Sequence, residues 1–241
     1  MTKFGKWLGG GLGWAFGGPI GAIIGFALGS VLDDTKVVVN GSGMNNPTQV
    51  GDFSASLLVL AAAVIKADGT VLKSELEYIK KFFIKNFGVE HTQEQMLVLR
   101  ELLQKDIPVR EVCMQIRQNM EHAARLQLIH FLFGVSSADG TVHAREVNVI
   151  AEIAGYLGVS TADFNSLKAM FYKDTDSDYK ILEIEKSATD DEVKKAYRKM
   201  AVKFHPDKVS HLGDDIQKDA KEKFQKLQNA YDAIKKQRGI N

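Results

Sequence analysis

Three groups of side chains in this sequence are of types that could do chemistry. The first is His205-Pro206-Asp207 with the cations just upstream, Lys194, Lys195, Arg198, Lys199 and Lys203. A row of cations steers an acidic partner surface in a salt-dependent way, so the chemistry on offer is recognition. The second is four acids, Asp68, Glu75, Asp139 and Glu146, set at matching places around two copies of Ala-Asp-Gly-Thr-Val. They could share a divalent cation if the two copies face each other; the competing reading has Gly69 and Gly140 making left-handed turns while the acids cap helix ends. An EF-hand is excluded, because Val64, Lys66, Val135 and Ser137 stand where its first carboxylates belong. The third group is His91, His122, His130, His143 and Cys113. These show no two-histidine zinc spacing and no nucleophile elbow, and the chain has no phosphate loop, so no enzyme is indicated.

The first group has elements to position it. Val193, Ala196, Tyr197, Met200, Ala201 and Phe204 recur at the spacing of one helix face, and the cations cover the other. Thr189 with Glu192 writes the start of that helix as a capping box. Pro206 writes its end, since it lacks an amide donor and pushes His205 out of helical geometry. Ile216, Ala220, Phe224, Leu227, Tyr231 and Ile234 form a second stripe. The two helices therefore pack as an antiparallel pair with His-Pro-Asp displayed at the tip.

From Ser177 to about Gly239 the sequence resembles a J domain, the module by which DnaJ-type co-chaperones drive ATP hydrolysis in DnaK-type chaperones. Tyr179-Lys180-Ile181-Leu182 resembles its first short helix, 195–201 the heart of the second, and Gln228-Asn229-Ala230-Tyr231 the third. The resemblance implies that His205, Pro206 and Asp207 trigger the chaperone, and that Tyr197, Lys194, Arg198 and Lys199, with Lys203 beside them, form the docking face. Glu183 departs from the pattern, standing where many members carry glycine, and is expected to touch only the turn. Nucleic acid is not an expected partner, because no aromatic residues interleave on the basic face and the formal net charge is only +1.

The J-like segment occupies only the last quarter of 241 residues, and strand signals are scarce, the exception being Val37-Val38-Val39. The fold class is all-α. One cysteine excludes an internal disulfide framework. From Trp7 to Leu32 there is no charged residue, and Gly9, Gly13, Gly17, Gly21, Gly25 and Gly29 recur at every fourth position. The stretch is long enough to cross a bilayer core, and a small-residue groove lets a second helix approach closely. We expect residues 1–33 to be a hydrophobic anchor helix in contact with lipid and able to pair two chains as a homodimer, with a soluble self-associating glycine zipper as the alternative. Lys3 and Lys6 weakly place the amino terminus in the cytosol, whereas an ATP-driven partner requires a cytosolic carboxyl terminus, and the latter argument is the stronger. Residues 34–50 read as a flexible linker.

Between 51 and 173 the chain repeats itself. Each Asp-Gly-Thr-Val turn follows an apolar helix, Phe53 to Lys66 or Leu126 to Ser137, and precedes another ending at Phe87-Gly88 or Leu157-Gly158. Thr92 with Gln95, Pro108, and Ser160 with Asp163 mark further helix starts, for about seven helices in all. The repeat resembles the all-helical TerB fold. Anchor, TerB-like middle and J domain (177–239), in that order, resemble the DjlA-like membrane co-chaperones. That resemblance implies an inner-membrane, single-pass protein with its J domain in the cytoplasm, the alternative being a soluble cytoplasmic one. No cofactor is expected beyond a divalent metal in the TerB-like part. The alternative function is a metal- or stress-responsive TerB-like binding protein with an accessory J domain.

Overall fold

A computed structural model describes residues 18–27, 29, 49–141 and 143–239. Most of the expected anchor, the rest of the expected linker and the Val37-Val38-Val39 run lie outside the described residues. Residues 18–27 form a helix, α1, whose Ile20 amide donates to Gln115 Oε1 at 2.9 Å. No helix among the described residues is long and apolar enough to cross a membrane.

The middle of the chain contains seven α-helices among the described residues: α2 (Gln49–Ile65), α3 (Lys73–Phe87), α4 (Val89–Leu102), α5 (Val109–Asn119), α6 (His122–Ser136), α7 (Ala144–Tyr156) and α8 (Thr161–Ala169). No strand occurs among the described residues, so the chain is all-α as expected. The centre of the bundle is α2 against α6, the leading helices of the two repeats. Both are apolar around most of their circumference; Leu57 to Leu60 and Leu128 to Phe133 are sealed from solvent apart from marginal access at His130. A helix without a polar face has to be central, and the amphipathic helices pack around this pair.

Each repeat then makes the same turn. After α2 a 3₁₀ turn, Lys66–Asp68, leads into Gly69 at φ 85°, and after α6 Gly140 sits at φ 82°. This left-handed geometry costs glycine little and other residues more. Asp68 Oδ1 accepts the amide of Thr70 and Asp139 Oδ1 that of Thr141, each at 2.8 Å. At α8, Ser160 caps as expected by accepting from the Asp163 amide. Thr92 does not begin a helix. Gly88, at φ 83°, interrupts the chain for one residue, α4 starts at once, and the buried Thr92 hydroxyl donates back to the Gly88 carbonyl at 2.6 Å.

The last quarter forms α9 (Ser177–Ile181), α10 (Asp190–Lys203) and α11 (Asp214–Arg238). Tyr197 stacks on Tyr231 at 4.1 Å, and Phe204, just past the end of α10, meets Lys223, earlier on α11. Those two contacts make α10 and α11 antiparallel. Arg238 closes this part of the chain, donating to the carbonyls of Lys186 and Ala188 and to the Tyr179 hydroxyl.

Candidate functional site

The basic helix is built as its sequence dictates. Thr189 Oγ1 accepts the Glu192 amide and Glu192 Oε2 accepts the Thr189 amide, so the capping box is complete. Val193, Ala196, Met200 and Phe204 are buried, while Lys195, Arg198 and Lys199 are exposed and Lys194 and Tyr197 are half-buried. The helix stops at Lys203 and His205 turns extended, at φ −58° and ψ 129°, as a residue before proline must. Pro206 then starts a 3₁₀ stretch, Pro206–Leu212, that carries the chain into α11.

Within the loop His205 and Asp207 point outward, their side chains 51% and 75% exposed, and Pro206 is buried. The displayed tip is therefore the imidazole and the carboxylate, with the proline as their anchor. His205 Nδ1 accepts the Asp207 amide at 3.3 Å, which places the neutral ring's proton on Nε2. The ring packs edge-on to Phe224 at 6.0 Å, and Gln217 donates to Asp207 Oδ1 at 3.1 Å. Three contacts, two of them from α11, thus fix the loop's pose. No nucleophile lies in it; it presents a donor and an acceptor beside cations, which suits docking on another protein.

Lys203 is the cation of the basic helix whose surroundings differ from those of a free surface charge. Its ammonium donates to Glu183 Oε1 at 2.6 Å and to Asp163 Oδ1, on α8, at 2.8 Å. Glu183 also accepts from Lys199 at 3.3 Å. Its backbone is left-handed, φ 57°, the one such non-glycine among the described residues. The effect of Glu183 therefore reaches beyond the turn, to two lysines of the basic helix. Its departure from glycine was visible in the sequence; the target of its carboxylate was not, because the placing of the turn after α9 beside Lys199 and Lys203 decides it.

Of the four acids, Asp68 and Asp139 serve their own turns, and Asp139 also pairs with His143 at 3.0 Å. That imidazole and the Thr141 amide hold the Asp139 carboxyl down to about 2. Glu75 and Glu146 are buried side by side. Burial, then Glu146 and Asp68, push the Glu75 carboxyl up to about 8, against the Leu72 amide that donates to its Oε2 at 2.8 Å. Glu75 Oε1 and both Glu146 oxygens have no other hydrogen-bond partner. Among the described residues no group of three or more His, Cys, Asp or Glu side chains is placed to hold a metal ion. Cys113 is buried in α5, its thiol pushed up to about 12 by burial. His130 is buried on α6 against Phe171, and burial lowers its pKa.

A helical hairpin displaying His-Pro-Asp at its tip beside a basic helix face defines a J-domain protein. The comparisons agree: residues 177–239 match the DnaJ domain model, residues 54–169 that of the tellurite resistance protein TerB, and residues 1–46 that of the co-chaperone DjlA transmembrane domain. The chain is 29% identical to the co-chaperone protein DjlA of Photobacterium profundum, over 98% of this chain and 99% of that one. It is 26% identical to the DjlA of Coxiella burnetii over the full length of both, and 28% to that of Vibrio parahaemolyticus over 83% of each. No solved structure matches. The three matched domains run in order along nearly the whole chain, which is similar over that length to the DjlA membrane co-chaperones.

Proposed function

We propose that this chain is an inner-membrane co-chaperone whose cytoplasmic J domain docks on a DnaK-type chaperone through α10 and stimulates its ATP hydrolysis through His205, Pro206 and Asp207. The supporting observation is the pose of the loop: His205 and Asp207 are held outward at the end of a helix that exposes Arg198 and Lys199. Tyr197 and Lys194 complete the docking face, and Lys203 joins it once released from its acids. The role is regulatory rather than catalytic, in line with relatives named as co-chaperones. Residues 1–33 anchor the chain in lipid by a single span, 34–50 link it, and 51–173 and 177–239 are the working domains; the anchor's glycine groove pairs two copies.

Single-turnover ATP hydrolysis by the host's DnaK-type chaperone tests this, with the full chain in lipid nanodiscs added as wild type or as His205→Gln. Stimulation by the wild type that the variant loses is the expected result. Equal rates with both, or none with either, would remove the reading.

A second reading, a divalent cation held in the middle domain, draws on the three carboxylate oxygens of Glu75 and Glu146 that lack other partners. Calcium, magnesium or zinc that raises the Tm of the wild type but not of Glu75→Gln supports it. An unchanged Tm discards it.

A further inference from the structure

The J domain is seated on the middle domain rather than held apart from it. α9 lies on α8, where the Ser166 hydroxyl donates to the buried carbonyl of Ile181 at 2.7 Å. The Pro206–Leu212 stretch that anchors the loop lies against α2 and α6, and α11 lies against α3. Lys85 on α3 reaches Asp219 at 2.5 Å and Glu222 at 2.9 Å on α11. Lys226 places its ammonium 3.7 Å above the ring of Phe171, and Lys223 is buried in the same seam with its ammonium over Phe204. At the upper end of the seam stands the Lys203 pair with Asp163, whose side chain is only 5% exposed.

An acidic chaperone surface arriving on α10 competes for the cation that Asp163 and Glu183 already hold. A nearly buried carboxylate does not release its partner as readily as a solvated one, since the uncompensated charge is left in a poor dielectric. A docking face that is complete in only a fraction of molecules binds more weakly by that fraction. We propose that the middle domain latches the J domain, Asp163 sequestering Lys203 and the Lys85 side of the seam holding the loop's base, so that full docking of the chaperone requires the seam to open. The latch rests on the reading of α10 as the docking face. It gives the middle domain a role of its own: whatever loosens the seam raises stimulation.

The test uses the full chain in nanodiscs as wild type, Asp163→Asn and Lys85→Ala. Neither residue is itself part of the docking face, Asp163 only holding Lys203 back from it, and both variants weaken the seam. Each is expected to lower the concentration needed for half-maximal stimulation by about fivefold, a coupling of the usual allosteric size, with the maximal rate unchanged. Adding His205→Gln abolishes stimulation in each. Unchanged or higher half-maximal concentrations in both variants overturn the latch. Hydrogen exchange reads the seam without any chaperone: amides of Pro206–Leu212 should exchange faster in Lys85→Ala than in the wild type. Equal exchange shows that the seam is not closed in solution and overturns the latch even if stimulation is normal. Protected amides with no stimulation by any form would instead sink the docking reading and leave a closed seam.

Discussion

Glu183 concentrates two opposed effects in one residue. Its left-handed backbone is strained for any residue with a β-carbon, while its carboxylate, 6% exposed, holds Lys199 and Lys203. Glu183→Gly removes the strain together with the ion pairs, whereas Glu183→Ala removes only the pairs and keeps the strain. Chemical denaturation should therefore find the alanine variant less stable than the glycine variant by about 1 kcal/mol. Equal stabilities would mean that the φ value carries no penalty here. His205 is the opposite case. Its extended backbone followed from residue order alone, because proline dictates the backbone of the residue before it.

Among the elements, α3 and α7 meet through Glu75 and Glu146, each in the first turn of its helix and each buried. The Glu75 carboxyl is raised from 4.5 to about 8, chiefly by burial. The raised value fixes the sign. The folded state holds a proton that the unfolded state gives up, so stability is full below the unfolded value and is lost as pH rises through about 8. The slope in that window is at most about 1.4 kcal/mol per pH unit. Thermal melts from pH 5 to 8 should show Tm falling in the wild type and level in Glu75→Gln, which still accepts the Leu72 amide. A variant as steep as the wild type would assign the titration to another group. The repeat made this pairing conceivable from sequence, since both glutamates follow their turns by the same interval. That they meet buried in the interior, while Asp68 and Asp139 stay in their turns, depends on how α2 and α6 cross.

For the whole molecule, the match of residues 1–46 to a transmembrane-domain model indicates a membrane protein, and the two folded domains follow it. A chain lacking residues 1–34 should move from the membrane fraction to the soluble fraction on sedimentation while keeping its stimulation of the chaperone. Full-length protein found wholly in the supernatant would refute the anchor. The seating of the J domain on the middle domain belongs to this scale too. Lys85 and Asp219 lie 134 positions apart, and neither belongs to a local pattern that announces the pair.

What the sequence determined by itself is whatever depends on neighbours a few positions away. The capping box of Thr189 and Glu192, the stop at Pro206, the left-handed turns at Gly69 and Gly140 and the apolar stripe of α10 are all of this kind, because helix periodicity and backbone sterics act over one or two turns. The start of α4 escaped even there, because one left-handed glycine, Gly88, lets a helix follow a helix without a conventional cap. Only the tertiary structure decided which charges are free. Lys203 reads as a surface cation in any window of sequence, yet Asp163, 40 positions earlier, holds it, and Lys223 on a basic helix is buried against another domain. Burial and long-range pairing come from how helices cross, and a crossing is set by the summed fit of many apolar side chains rather than by any one residue.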